Sequence, residues 1–405
     1  MQLYIKGIKG FIFLSLFVLS SCSSKKQAAA TGSETPVNAD LDHIKFTVEE
    51  ASEWTNLFKR NSGWFGGDGI FVIPHNGLEK ASADTATILF SDTMIGEIVN
   101  DSLKPGFVMI HNSVATIQGS EAKEENIQFH WDKKKSGAPE SIFIPATPAS
   151  KPGDYYWLGD GFVNPDLAGN TYIFGYRVRD VKVVSTFSFE QVGNTLIIIP
   201  KGSKPPYKDQ RQIDIPFFTG GSDSTASVSY GSGIFVNTTA AGAPNADGYL
   251  YVYGVGGKNK NLKVARVLPK DVETFGEWRF WDGKSWVAEM SSAGDITNHV
   301  SNELSVSPLP DGRYALLFQV DGISSIVGMR LGSSPVGPFG PIIPVYDCKG
   351  ALNAKKIFPY NAKAHPALSQ PGELLVSYNV NSFDFANDIK LYPNLYRPRF
   401  IRIKF

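Results

Sequence analysis

Residues 66–74 read GGDGIFVIP and residues 85–93 read TATILFSDT, two short apolar runs separated by a polar turn. The unit is a short apolar strand, a turn with Gly, Asn or Asp, and a second strand rich in aromatic and β-branched residues. It recurs as WLGDGFVNPDLAGNTYIFGYRV (157–178), YGSGIFVNTTA to DGYLYVYGV (230–255), SNELSVSPLPDGRYALLFQVDG (301–322) and AHPALSQPGELLVSYNVNS (364–382). The second strands alternate, as in Tyr249, Tyr251, Tyr253 or Leu374, Val376, Tyr378, which is the period of a strand with two distinct faces. Matching positions in the first strands are Asp68, Asp160, Ser232, Glu303 and His365, spaced 92, 72, 71 and 62 residues apart. A spacing of about 70 leaves room for four strands and their loops, above the ~40–50 of minimal propeller repeats.

Working outward, the 405 residues include 39 Gly, 25 Pro, 27 Phe and 16 Tyr, a mix that suits a rigid, turn-rich β protein. The one short helical pattern lies near Val48–Lys59. The expected fold is all-β, a five-bladed β-propeller with four-stranded antiparallel blades. A sandwich or jelly roll would lack the recurrent hairpin opening, and a parallel β-helix would repeat at a shorter period. The last strand, RPRFIRIKF (397–405), is expected on the outside of the fifth blade with His43–Val48 beside it, its Arg397, Arg399, Arg402 and Lys404 guarding an edge by charge.

The N-terminus carries an address. Residues 1–22, MQLYIKGIKGFIFLSLFVLSSC, place Lys6 and Lys9 before an apolar run from Phe11 to Leu19, too short to span a bilayer. Leu19-Ser20-Ser21-Cys22 resembles a lipoprotein processing site, with Cys22 as the lipidated residue. The expected organisation is therefore a signal peptide over 1–21, a lipidated Cys22 with a flexible tether over 22–42, and a propeller over 43–405. That implies a lipid-anchored, monomeric cell-envelope protein of a Gram-negative bacterium, at the outer membrane or cell surface, touching the membrane only through its anchor. The other cysteine, Cys348, is expected to be buried and inert. With 39 basic and 39 acidic side chains the net charge is zero, which leaves no basic footprint for nucleic acid.

The repeat also locates a site. In a propeller the residue opening each innermost strand sits at the rim of the central channel, so Asp68, Asp160, Glu303 and His365 should converge. The hairpins return the chain to the same face, adding Asp92, Arg177, Gln319, Asp321, Asn379 and Asn381. Several carboxylates in one funnel are costly unless the site uses them or a cation compensates them. Asp68 and Asp160 both lie in Gly-Asp-Gly, which could equally be a turn whose Asp satisfies backbone amides. Ser232 shows that the position need not be acidic. Trp64 and Trp157 precede the two Gly-Asp-Gly words and are either sugar platforms or core. The run EWRFWDGKSW, with Trp278, Trp281 and Trp286, reads as packing.

In these words the chain resembles the five-bladed propeller glycosidases, a group that includes the arabinanases and xylosidases of glycoside hydrolase family 43. It is more closely similar to lipoprotein propellers with Gly-Asp-Gly followed by Gly-Asp-Thr, here Gly67-Asp68-Gly69 and Ser91-Asp92-Thr93, whose relatives include endo-D-arabinanases. The resemblance implies a glycoside hydrolase acting on an oligosaccharide or polysaccharide, a furanoside such as arabinan favoured, through Asp68, Asp92, Glu303 and Asp160. Asp68 is expected as base, Asp92 or Glu303 as acid, and Asp160 as a tuning group, with inversion favoured. Trp64, Trp157, Arg177, His365 and Asn379 are expected to bind substrate. No cofactor is required, although a central Ca²⁺ is compatible with the acidic funnel. The alternative is a surface lipoprotein that binds glycan without cleaving it.

Overall fold

The computed structural model describes residues 39–182, 188–220, 227–351 and 356–405; Cys22, the expected leader and most of the expected tether fall outside them. The fold is all-β. The first sheet runs Phe71–Pro74, Thr85–Phe90, Ser113–Gln118, Ile127–His130, and the second Tyr155–Asn164, Asn170–Asp180, Phe189–Ile199, Arg211–Ile215. The third begins with Val228–Asn237, Tyr249–Gly256 and Asn261–Val267, extended outward by Arg279–Trp281 and Trp286–Val287. The fourth is Leu304–Pro308, Tyr314–Gln319, Ile326–Gly332, Ile343–Asp347. The fifth is Ile357–Ala364, Glu373–Ser382, Arg399–Lys404, with Thr47–Glu50 outermost. An additional sheet pairs Ser62–Gly67 with Thr93–Val99 next to the first.

Within each sheet successive strands pair antiparallel, so the alternation seen in the sequence puts one set of side chains into the cores between sheets. One core joins the fourth and fifth sheets, through Leu317, Met329, Val376 and Ile401 among others. First strands of successive sheets touch: Phe71–Pro74 meets Tyr155–Asn164, which meets Val228–Asn237, then Leu304–Pro308, then Ile357–Ala364. The turn Pro366–Leu368 leads back to Phe71–Pro74. This crowding explains one repeated glycine: a Cβ on Gly159 would lie 2.7 Å from the Gly231 carbonyl oxygen of the neighbouring first strand.

Two expectations shift. The segment pairing with the C-terminal strand is Thr47–Glu50, with Thr47 opposite Lys404, so Arg399–Lys404 is an interior strand of its sheet and not an edge. Its charges meet acids instead, as Arg402 does with Glu49 at 3.0 Å and Glu373 at 3.1 Å. In the fifth sheet the first strand is Ile357–Ala364, so His365 closes that strand and does not open it. The helix near Val48–Lys59 is confined to Ser52–Leu57, pinned by Trp54 and Leu57 in the core. Trp278 is a core residue, and Cys348 is fully buried with its thiol pushed up to about 12 by burial.

Candidate active site

Gly67-Asp68-Gly69 and Ser91-Asp92-Thr93 lie side by side. The Asp68 amide donates to the Asp92 carbonyl at 3.3 Å, and the Ser91 amide donates to the Asp68 carbonyl at 2.8 Å. Gly69 adopts a positive φ of 65°, and a Cβ there would strike Ser91 Oγ at 2.7 Å, so the second glycine of the word lets the two acid-bearing turns close on each other. Asn379, almost wholly buried, donates from Nδ2 to the Gly67 carbonyl at 3.2 Å and fixes the approach to Asp68.

The two carboxyls are held differently. Asp68 Oδ2 accepts a 2.6 Å hydrogen bond from the Tyr360 hydroxyl, whereas its buried Oδ1 finds no hydrogen-bond partner among the described residues. Burial first, then the charge of Asp92, push the Asp68 carboxyl up to about 7; Tyr360 pulls it back, Glu303 pushes further up and Tyr396 pulls down. Asp92, by contrast, has its Oδ1 3.0 Å from His111 Nδ1 and keeps some exposure. The His111 ring stacks on Tyr155 with centroids 3.7 Å apart, which fixes the imidazole against Asp92. Two neighbouring carboxyls, one held toward its protonated form and one beside an imidazole, can give and take a proton on opposite sides of a bond.

The second Gly-Asp-Gly has a different environment. Asp160 occupies a β-bulge between Leu158 and Gly161. Its Oδ1 accepts from the Gly161 amide at 2.8 Å and its Oδ2 from the Ile234 amide at 2.7 Å, so it ties the second sheet to the third. Burial pushes it up to about 7 against those two hydrogen bonds and Lys363. Glu303 accepts from Asn361 Nδ2 at 2.7 Å and meets the Lys363 ammonium at 2.6 Å. Burial raises the Glu303 carboxyl and Lys363 pulls it back. The Lys363 side chain is 1% exposed, and its ammonium also stands 4.6 Å from the Phe71 ring centroid. A cavity of about 70 Å³ beside it is lined by Glu79, Asp160, Leu304, Ser305 and Lys363; burial and then Asp160 push Glu79 up to about 8.

The remaining expected residues divide. Trp64 is 1% exposed and packs against Phe58, Phe90 and Phe129, which makes it core and not a platform. Trp157 is half-buried and stands next to Tyr155, whose ring meets His111. Arg177 is committed elsewhere: its guanidinium pairs with Asp214, donates to Thr147 Oγ1 at 3.1 Å and lies 3.8 Å from Asp154. Gln319 donates to the Ser324 carbonyl at 2.7 Å, and Asp321 pairs with His299 on the surface. His365 is buried with Nε2 2.7 Å from Ser377 Oγ, and burial holds its pKa well below the usual histidine range. It lines the small cavity as a neutral ring. Among the described residues no group of three or more His, Cys, Asp or Glu is placed to hold a metal, and the charge beside Glu303 and Asp160 is the Lys363 ammonium.

Sequence reasoning passed over His111, Tyr360, Asn361, Lys363 and Glu79. His111 had a signal within reach, as one of six histidines, 19 residues after Asp92 at the end of a short strand. Tyr360 had none, because its partner Asp68 is 292 residues away.

The chain belongs to the family described as Domain of unknown function (DUF5005), which it matches over residues 51–405. No curated protein matches it. Among solved structures it is similar to a proposed hydrolase from Bacteroides ovatus ATCC 8483, at 20% identity and a TM-score of 0.68, covering 91% of this chain and 93% of that one. Weaker likenesses include a xylan β-1,4-xylosidase from Bacillus Halodurans C-125 (11% identity, TM-score 0.43, covering 80% of this chain and 50% of that one). Another is an α-L-arabinofuranosidase from Clostridium thermocellum ATCC 27405 (12% identity, TM-score 0.41, 81% and 86%).

Proposed function

We propose that the chain is a glycoside hydrolase in which Asp68 and Asp92 are the working carboxyls. The observation that carries this is their asymmetry: side by side, one held toward its protonated form with a buried oxygen that has no hydrogen-bond partner among the described residues, the other beside His111. The kind of protein assigned to the Bacteroides ovatus structure, a proposed hydrolase, agrees with that reading. The successive sheets then serve as the blades of a five-bladed propeller. Cys22, if lipidated, would tether it to the cell envelope facing glycan outside.

In this reading Asp92, as carboxylate, takes a proton from water while the water oxygen bonds to the anomeric carbon. The glycosidic C–O bond breaks and its oxygen takes the proton of Asp68. Asp68 ends as carboxylate and Asp92 as acid, and exchange with solvent restores both. The product is inverted, as is usual when water lies between the two groups. This exchanges the roles expected from sequence, because burial and the Asp92 charge favour the proton on Asp68. Glu303 suits proton donation less well, since its two carboxyl oxygens are already engaged by Lys363 and Asn361. His111 orients Asp92, and Tyr360 orients Asp68.

The test is hydrolysis by the purified protein of linear arabinan, xylan, galactan and their 4-nitrophenyl glycosides. Asp68→Asn and Asp92→Asn should each lower kcat by about 10²–10⁴-fold while the unfolding temperature stays near or above that of the parent. A parent protein inert on the whole panel, or variants as active as the parent, would remove the assignment.

A further inference from the structure

Each of the two carboxyls touches the first member of a line of rings. On one side Asp68 is bonded to Tyr360 at 2.6 Å; Tyr360 lies 5.7 Å from Phe358, and Phe358 lies 4.4 Å from Phe383. On the other, Asp92 meets His111 at 3.0 Å, His111 stacks on Tyr155 at 3.7 Å, Tyr155 lies 6.1 Å from Trp157, and Trp157 lies 4.6 Å from Phe189. The first line comes from the fifth sheet, and the second, after His111, from the second sheet. These are the sheets on either side of the one that Asp68 and Asp92 flank, since the first strand of the first sheet meets the first strand of the second and the turn after the first strand of the fifth.

Apart from Tyr155, which is buried, these rings are not core. Phe383 is 48% exposed; Tyr360, Phe358, Trp157 and Phe189 are half-buried, and the His111 side chain is 35% exposed. Trp64, which stands before the same Gly-Asp-Gly word, is buried in a closed aromatic cluster, so exposure separates the two groups of rings. A partly exposed ring offers a flat apolar face with a polarised edge, which matches the C–H face of a sugar ring. Two cations beside the lines are already paired: Arg179 donates to Asp154 at 2.6 Å and 3.0 Å, and Lys356 to Asp384 at 2.7 Å. An acidic polymer would find no uncommitted charge in these two.

We propose that the Tyr360–Phe358–Phe383 line and the His111–Tyr155–Trp157–Phe189 line are sugar-binding subsites on the two sides of the scissile bond, built for an uncharged glycan chain. The proposal rests on the assignment of Asp68 and Asp92 above, and it adds what the chain binds to and where. Phe383 and Trp157 are the specificity residues, because they hold sugar rings away from the reacting bond. Loss of either should weaken long substrates more than short ones.

The experiment separates binding from chemistry. Asp68→Asn protein, alone and combined with Phe383→Ala or with Trp157→Leu, which keeps apolar bulk without the flat ring, is run in native gels containing arabinan, xylan, β-1,3-galactan or polygalacturonate. At least one neutral polymer should retard the Asp68→Asn protein, polygalacturonate should not retard it more, and each ring substitution should weaken retardation about tenfold or more. With active protein carrying the ring changes, the loss in kcat/KM should be at least tenfold greater on the polymer than on the 4-nitrophenyl glycoside. Unchanged retardation in both ring variants, stronger retardation by polygalacturonate, or no retardation by any polymer would overturn the subsites. Retardation that the ring changes abolish, with no hydrolysis by the parent, would support the subsites and sink the catalytic reading alone. Hydrolysis that the ring changes leave equal on polymer and on glycoside would do the reverse.

Discussion

Gly67-Asp68-Gly69 and Gly159-Asp160-Gly161 are the same three-residue word in two places, and the molecule uses them for opposite purposes. At Asp160 both carboxyl oxygens accept backbone amides, one of them from the next sheet, and the aspartate behaves as a rivet. At Asp68 one oxygen accepts a tyrosine hydroxyl and the other is buried without a partner among the described residues. Buried polar atoms are ordinarily satisfied, so an acid that is not is either a strain or a tool. The companion acids differ in the same sense: Glu303 is neutralised by Lys363, whereas Asp92 has a half-exposed histidine. A repeated motif thus fixes where a side chain points, and its neighbours decide what it does.

The contrast between the two acid pairs turns first on the Lys363 ammonium. If that ammonium is what silences the Glu303 side, Lys363→Met should cost about 3–5 kcal/mol in urea unfolding, because it leaves a buried carboxylate without its charge partner. Adding Glu303→Gln should recover a substantial part. A double variant no more stable than the single one would show that the pair is incidental.

The rivet is the next target. Asp160→Ala removes two amide acceptors and should cost about 1–3 kcal/mol, visible as a lower unfolding temperature. Its effect on kcat should stay well below that of Asp68→Asn. Equal loss of turnover in both variants would erase the distinction between the two words.

The smallest expected effect concerns Asp68 and pH. Its carboxyl is raised from 3.8 to about 7 on folding, so the neutral form is the one the fold favours. The stability it contributes is full below about pH 4 and is lost as pH rises through about 7. Asp68→Asn, with no charge to bury, should therefore exceed the parent in stability at pH 8 by on the order of 1–2 kcal/mol. The gap should close toward pH 4. A variant less stable than the parent at pH 8 would mean that the ionised carboxylate is well solvated there.

Much of this was legible in the sequence wherever the signal was local. The alternation of Tyr249, Tyr251 and Tyr253 gave away a strand, and the twin words gave away the hairpin that joins Asp68 to Asp92. The first strand of the fifth unit, Ile357–Ala364, carries no Gly-X-Gly word and bulges at Asn361-Ala362 instead, so the sequence pattern places its opening too late, at His365. That slip promoted His365 and hid Tyr360, Asn361 and Lys363, which lie on the strand that was passed over. Arg177 had the right periodicity for the rim, but Asp154 and Asp214 bind it, and no local pattern announces such partners. Trp64 and Trp157 occupy similar places in the sequence and differ only in what packs around them.

The most direct test of the account is the leaving-group dependence of Asp68→Asn. On the glycoside series that the parent hydrolyses, kcat/KM of this variant should approach the parent with a 2,4-dinitrophenyl leaving group, which departs without a proton, and should fall about 10²–10⁴-fold below it with a plain alkyl leaving group. Asp92→Asn should be equally impaired on both. If instead Asp68→Asn is equally impaired across the series while Asp92→Asn is rescued by the activated leaving group, the proton lies on Asp92 and the assignment made from the two environments is wrong.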